Sequence, residues 1–198
     1  AWVAEQREKL RAARAAAQAP KDGQITAAMI AATLGRILPP SAIVLDESVS
    51  NAPWTLSLTA RTEPGTYFGS GGSSLGWGVG AAVGAKLAAP DRDVVLCVGD
   101  GAFVFGEPTA AFWAARRYGV PFLAVIYNNV GWAAVKNAAL DQYPEGFAQR
   151  ANDFTASFAP SSDLAVIAAA AGAYSERVSD PGELEAALER GLAETRRG

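Results

Sequence analysis

Val94-Val95-Leu96-Cys97-Val98-Gly99-Asp100-Gly101 and Phe122-Leu123-Ala124-Val125-Ile126-Tyr127-Asn128-Asn129 decide the fold. Each is an apolar run of strand length that ends in small or polar residues. Between them, Pro108 to Tyr118 reads as a helix. Strand, helix, strand is a βαβ unit, and its two parallel strands are normally close or adjacent in the sheet. Adjacent strands lie about 4.8 Å apart. The spacing therefore predicts that Asp100 and one Asn of the pair stand side by side at the carboxyl edge of the sheet. Open α/β sheets take their ligands at that edge. One carboxylate, one amide oxygen and nearby carbonyls make an all-oxygen donor set, which suits Mg²⁺ when phosphate oxygens and water complete its shell. Two plainer readings stay open. Asp100 can be a simple Asp-Gly turn, and Asn128-Asn129 can be a turn or a helix cap, a role that fits Asn128 in particular.

The rest of the chain is compatible with an α/β domain. Residues 2–18 form an Ala/Arg/Glu-rich helix candidate that ends at Pro20 and Gly23. Thr26 is a plausible N-cap for a helix through Arg36. Ala42 to Asp46 is read as the first strand, Asn51 to Leu58 as helix, Thr66 to Phe68 as a short strand and Leu75 to Ala89 as a Gly/Ala-rich helix. After the central unit, Pro144 to Pro160 reads as irregular, Leu164 to Gly172 as a helix and Ala173 to Val178 as a strand. Pro181 to Thr195 reads as a helix, with Pro in its first turn and early acids as the macrodipole favours.

Composition narrows the function. With 198 residues, half of them apolar, the chain can bury a sizeable core. A net charge of −3 leaves no electrostatic footprint for nucleic acid or for a membrane surface. The single Cys97 lies in an apolar strand and permits no disulfide framework, which fits a cytoplasmic location. The longest apolar stretch, Leu164 to Tyr174, is too short to span a bilayer, and the N-terminus has no apolar h-region. There is no His, the commonest general acid or base.

Gly99-Asp100-Gly101, a gap of 26 residues, then Asn128-Asn129 resembles the cofactor motif of thiamine diphosphate enzymes. The likeness extends to Val44-Leu45-Asp46-Glu47-Ser48-Val49-Ser50, which is similar to the first strand and diphosphate loop of decarboxylase-type members. It extends also to Gly69-Ser70-Gly71-Gly72-Ser73-Ser74-Leu75-Gly76-Trp77-Gly78, similar to the segment under the cofactor rings. It covers roughly residues 25–190 and is nearest to benzoylformate decarboxylase, with acetolactate synthase close by. The implied fold is a three-layer, doubly wound α/β domain with a mostly parallel sheet. The implied division is a linker helix over 1–22 and a diphosphate-binding domain over 23–198, an expected excerpt of a longer chain or a processed subunit of a split enzyme.

The resemblance also implies a site. Asp100, Asn129 and the carbonyl of Gly131 would hold Mg²⁺, which holds the diphosphate of thiamine diphosphate. Glu47, Ser48, Val49 and Ser50 would form the diphosphate loop, with contacts from Ser50 and the Val49 backbone. Leu75 would wedge between the cofactor rings, and the Ser73 carbonyl, beside Ser74, would accept from the exocyclic amine. Gly99, Gly101, Ala102 and Phe103 would lie beside the diphosphate, and Trp132 would offer its backbone to phosphate or its ring to the substrate end. Each has a plain alternative: capping for the Ser residues, core packing for Leu75 and Trp132. Ala102 stands where the family commonly has Ser, and the segment after Asn129 matches no particular subfamily. The implied activity is that of a 2-keto acid decarboxylase or carboligase working as a homodimer or homotetramer. The family's activating Glu belongs to a separate pyrimidine-binding domain, of the same or a neighbouring subunit, so the chain alone is expected to be inactive. The alternative is a non-catalytic binding or structural subunit of the same fold. A dinucleotide-binding protein is disfavoured, because no Gly-x-Gly-x-x-Gly opens a helix after the first strand.

Overall fold

The computed structural model describes residues 2–72 and 74–198. Its elements run α1 (Trp2–Ala16), α2 (Ala27–Ile37), β1 (Ile43–Glu47), a 3-10 turn (Val49–Asn51), α3 (Ala52–Thr59), β2 (Tyr67–Gly69), α4 (Trp77–Ala88), β3 (Val94–Gly99), α5 (Asp100–Phe105) and α6 (Pro108–Tyr118). Then follow β4 (Leu123–Tyr127), α7 (Ala133–Gln142), α8 (Phe147–Ala151), α9 (Ala165–Ala170), a 3-10 turn (Pro181–Glu183) and α10 (Leu184–Arg197). The four strands form one sheet in the order β2-β1-β3-β4, and every pairing is parallel. The architecture is the expected α/β one, with helices on both faces of the sheet.

Alternation along the strands sorts side chains into two cores. Ile43, Leu45, Val94, Leu96 and Val98 face one way and meet Val79 and Ala82 of α4 and Phe112 and Ala115 of α6. Val44, Val95 and Cys97 face the other way and meet Met29 and Leu34 of α2 and Leu184, Leu188 and Leu192 of α10. The leucines of α10 recur every four residues, which puts them on one helix face. Local chemistry sets the helix ends. The Thr26 hydroxyl accepts from the Met29 amide at 3.0 Å. The Asp180 carboxylate accepts from the Gly182 amide at 2.8 Å. α6 has Pro108 at its start and left-handed Gly119 (φ 62°) at its end.

Several boundaries differ from expectation. β1 begins and ends one residue later than read. α4 starts at Trp77 rather than Leu75, because Gly76 is left-handed, with φ 89°. α7 and α8 are helices where no helix was foreseen. The larger correction concerns Ala173 to Val178, which forms no strand. The segment is polar in its middle (Ser175, Glu176, Arg177), and Glu176 is tied to Arg190 of α10 by a side-chain bond of 2.9 Å. A side-chain tether to the neighbouring helix thus takes the place of a ladder with β4.

Candidate functional site

Parallel register brings the two motif halves together. Gly99 pairs with Tyr127 across β3 and β4, so Asp100 and Asn128 leave the sheet side by side. Asp100 does not sit in an open turn. It opens α5 and is 2 % exposed. Its Oδ1 accepts from the Gly101 amide at 2.9 Å. Its Oδ2 accepts from the Gly131 amide at 3.0 Å, across the gap between the two loops. Both partners are neutral, and among the described residues no Lys or Arg forms an ion pair with this carboxylate. A buried carboxylate without a countercharge is costly. Asp46 and Glu47 are buried likewise, but each accepts three hydrogen bonds; Asp100, with two, is the strongest physical pointer to a cation here.

The loop after β4 is shaped around that contact. Asn128 Oδ1 accepts from the Val130 amide at 3.0 Å, which closes a local turn and gives Asn128 the structural role foreseen for it. Val130 has φ 61°, an uncommon conformation for a β-branched residue that recurs at functional loops. Gly131 runs against Ala156 and Ser157, and a Cβ there would lie 2.2 Å from the Ala156 carbonyl oxygen. The Trp132 amide donates to that same oxygen at 2.8 Å. Among the described residues nothing hydrogen-bonds the Gly131 carbonyl, and the Asn129 side chain is exposed and without an internal partner.

The Trp132 ring folds back over Gly101, where a Cβ would come within 2.2 Å of its Cδ1. The ring meets Phe158 edge-on, with centroids 4.5 Å apart. Its buried Nε1 has no acceptor among the described residues. A cleft of about 660 Å³ opens beside it, lined by Asn129 to Ala133, Lys136 and residues 152–157.

The turn after β1 lies against α7, close to this loop. The Ser48 carbonyl accepts from the Asn51 amide at 3.0 Å, and Val49 is left-handed, with φ 46°. Val49 and Ser50 are exposed, and their amides donate to nothing among the described residues. Two free amides beside a helix start suit an anion.

Other residues read from the sequence lie differently. The Glu47 carboxylate points away from this turn, to the opposite face of the sheet. There it accepts from the amides of Gly76, Trp77 and Gly78 and so caps α4. Burial raises its pKa above the usual carboxylate value, a shift those amides partly offset. Phe103 is 1 % exposed and packs on Phe112, so its side chain is core. Ala102 is buried as well. Leu75 is half-buried against the first core, Ser74 is exposed, and Gly99 is half-buried at the end of β3. Ser73 lies outside the described residues.

Sequence reasoning missed a buried polar group on the other face of the sheet. Asp46 is 5 % exposed and accepts from the Ser48 amide (2.9 Å), the Ser48 hydroxyl (2.6 Å) and the Tyr67 hydroxyl. The signal was present, as the acid pair Asp46-Glu47 that directly follows the apolar run Ile43 to Leu45. Burial, reinforced by Asp46, pushes the Cys97 thiol up to about 12 and raises the Tyr67 phenol far above its usual range.

Asp100, Asn129 and the Gly131 carbonyl, the ligands read from the sequence, would offer only oxygen, and among the described residues no group of three acids, His or Cys forms a metal cage. That fits a hard divalent ion whose remaining ligands come from phosphate and water. The fold and this edge define an α/β domain with an all-parallel sheet, whose loops meet at the carboxyl edge where such folds take their ligands. Residues 48–197 match the model of "Thiamine pyrophosphate enzyme, C-terminal TPP binding domain", and the chain belongs to that family. It is 31 % identical over 184 residues to benzoylformate decarboxylase of Pseudomonas aeruginosa, which covers 92 % of this chain and 33 % of the relative. It is 38 % identical over 132 residues to an acetolactate synthase large subunit of Mycobacterium tuberculosis, covering 66 % and 22 %. The structure superposes on a thiamine diphosphate-dependent 4-hydroxybenzoylformate decarboxylase of Rhodococcus jostii with a TM-score of 0.78 and 26 % identity, covering 89 % and 32 %. The chain thus spans about a third of the length of the benzoylformate decarboxylase it matches. No helix among the described residues is long and apolar enough to cross a membrane.

Proposed function

We propose that this chain is the diphosphate- and Mg²⁺-holding domain of a thiamine diphosphate-dependent 2-keto acid decarboxylase or carboligase. One observation carries the reading: the buried Asp100 carboxylate, bonded to the Gly131 amide and lacking any cationic partner among the described residues. Asp100, the Asn129 side chain and the Gly131 carbonyl hold the ion, and the Val49 and Ser50 amides with the Ser50 hydroxyl hold the diphosphate. The cofactor, when bound, supplies the electron sink for decarboxylation. The chain's own residues grip, orient and neutralise charge. The glycines at 71, 72, 80 and 84 border open space, and Leu87 and Phe68 are exposed. This supports an association surface for a pyrimidine-binding domain and for a homodimer or homotetramer of cytoplasmic enzyme. That domain brings the activating Glu, so the chain alone releases no CO₂ from a 2-keto acid. The buried, hydroxyl-free Ala102 favours a non-catalytic subunit of the same fold, while the Asp100–Gly131 contact favours the cofactor site.

Calorimetry of thiamine diphosphate binding, with and without Mg²⁺, tests the reading. Wild type is expected to bind in a metal-dependent way. Asp100→Ala is expected to lose that dependence while keeping its circular dichroism. Metal-independent binding, or none, refutes the cofactor role. CO₂ release by the chain with cofactor, Mg²⁺ and a 2-keto acid overturns its inactivity.

A further inference from the structure

Asp46 takes no part in the grip just proposed, yet, like Glu47 beside it, it is a buried carboxylate at this edge that lacks a cationic partner among the described residues. It and Glu47 are consecutive on β1, so they point to opposite faces of the sheet. Glu47 holds the start of α4, while Asp46 holds the turn. We infer that Asp46 is a positioning residue for the diphosphate-binding turn, acting through Ser48; the inference rests on the reading of that turn given above.

An apolar residue in this place would complete β1 without burying a charge. What the charge adds is strength, because hydrogen bonds to a carboxylate are shorter and stronger than neutral ones. Two of the three go to a single residue, the Ser48 amide at 2.9 Å and its hydroxyl at 2.6 Å. Ser48 immediately precedes left-handed Val49. A β-branched residue in that region persists only where its surroundings over-determine it. Fixing both polar atoms of the preceding residue does so. It leaves the Val49 and Ser50 amides turned outward and without internal partners.

The same hydroxyl reaches further. Ser48 Oγ lies 3.1 Å from Thr55 Oγ1 on α3, and Thr55 Oγ1 lies 3.4 Å from the Tyr127 hydroxyl. Tyr127 is the last residue of β4, next to Asn128-Asn129. One buried chain of polar groups therefore joins the diphosphate turn to the strand that delivers the metal loop, and Asp46 anchors its first end.

The test compares Asp46→Asn, Ser48→Ala and Tyr67→Phe in the chain with Mg²⁺ and thiamine diphosphate. Asp46→Asn and Ser48→Ala are each expected to weaken binding about 10-fold, the order found when an outer-shell partner is lost. Both are expected to speed amide hydrogen exchange at residues 48–51 and to leave α6 unchanged. If one of them does not fold, the other carries the comparison. Tyr67→Phe removes a bond to the same carboxylate without touching Ser48, and is expected to change affinity by less than about 3-fold. Wild-type affinity and wild-type exchange in Asp46→Asn overturn the inference. So does faster exchange spread over the whole sheet and matched by Tyr67→Phe, which marks a structural role only. Absence of Mg²⁺-dependent binding in wild type refutes the proposed function instead, and exchange at 48–51 still decides what Asp46 does.

Discussion

Gly101→Ala is a sharp test of the site because propensity and packing predict opposite signs. Gly101 lies in α5 with an ordinary negative φ, and Ala in a helix is favoured over Gly by about 1 kcal/mol. On propensity alone the substitution stabilises. The structure predicts the reverse. The new Cβ would stand 2.2 Å from Trp132 Cδ1 and 2.4 Å from Nε1. The indole must retreat by more than about 1 Å to reach ordinary van der Waals separation. Its retreat is hindered by Phe158 at 4.5 Å and by its own amide, which is bonded to the Ala156 carbonyl at 2.8 Å. Overpacking of this kind costs about 1–3 kcal/mol, which outweighs the propensity gain. For a chain of this size each kcal/mol lowers the melting temperature by about 2–4 °C. An approach of 2.2 Å places the cost in the upper part of that range, about 2–3 kcal/mol, so a net loss of about 1–2 kcal/mol gives a drop of roughly 2–8 °C. Movement of Trp132 is also expected to drag Gly131 and lengthen its bond to Asp100, so that the proposed Mg²⁺-dependent affinity falls with stability. Thermal denaturation of Gly101→Ala, Trp132→Ala and the double variant reads the effect. Removal of the ring opens space for the methyl, so the two losses are expected to be strongly non-additive. A Gly101→Ala protein that melts at or above the wild-type temperature, or strictly additive losses, would refute the packing of Trp132 on Gly101.

Two further outcomes follow from buried acids and thiols. Glu47 has its folded pKa raised by burial, so between the ordinary value of 4.5 and that raised value the native state binds more protons than the unfolded one. Stability is therefore expected to fall as pH rises through this window, and Glu47→Gln is expected to flatten that part of a denaturation profile; a slope left unchanged by the substitution contradicts the assignment. Cys97 is fully buried, with its thiol pushed up to about 12. It is expected to resist alkylation by iodoacetamide at pH 8 in the native state and to react once unfolded, and rapid modification of the native protein would show that β3 is open.

Much of this was legible because it depends on local pattern. The apolar runs of β3 and β4, the helix between them and their polar ends gave the βαβ unit, and parallel register put Asp100 beside the second loop as expected. Thr26 and Pro108 marked helix starts by their own chemistry. Local pattern left open what long-range contact decides. Ala173 to Val178 has the composition of a short strand, but its polar centre is tethered to α10. Phe103 adjoins the motif in sequence, yet its ring turns into the core. Glu47 belongs to the diphosphate segment in sequence, yet its carboxylate is taken by amides 29 to 31 residues away.

By itself the chain determined the class of fold and the sheet edge at which Asp100 meets the loop after β4. Periodicity and strand-end chemistry act within a few residues of one another, so they can be read in one dimension. Only the folded molecule decided which acids face which layer. Alternation sends Asp46 and Glu47 to opposite sides of β1, so that Asp46 turns to Ser48 and Tyr67 on one face while Glu47 meets amides of α4 on the other, which the sequence keeps apart and the fold brings within hydrogen-bond distance.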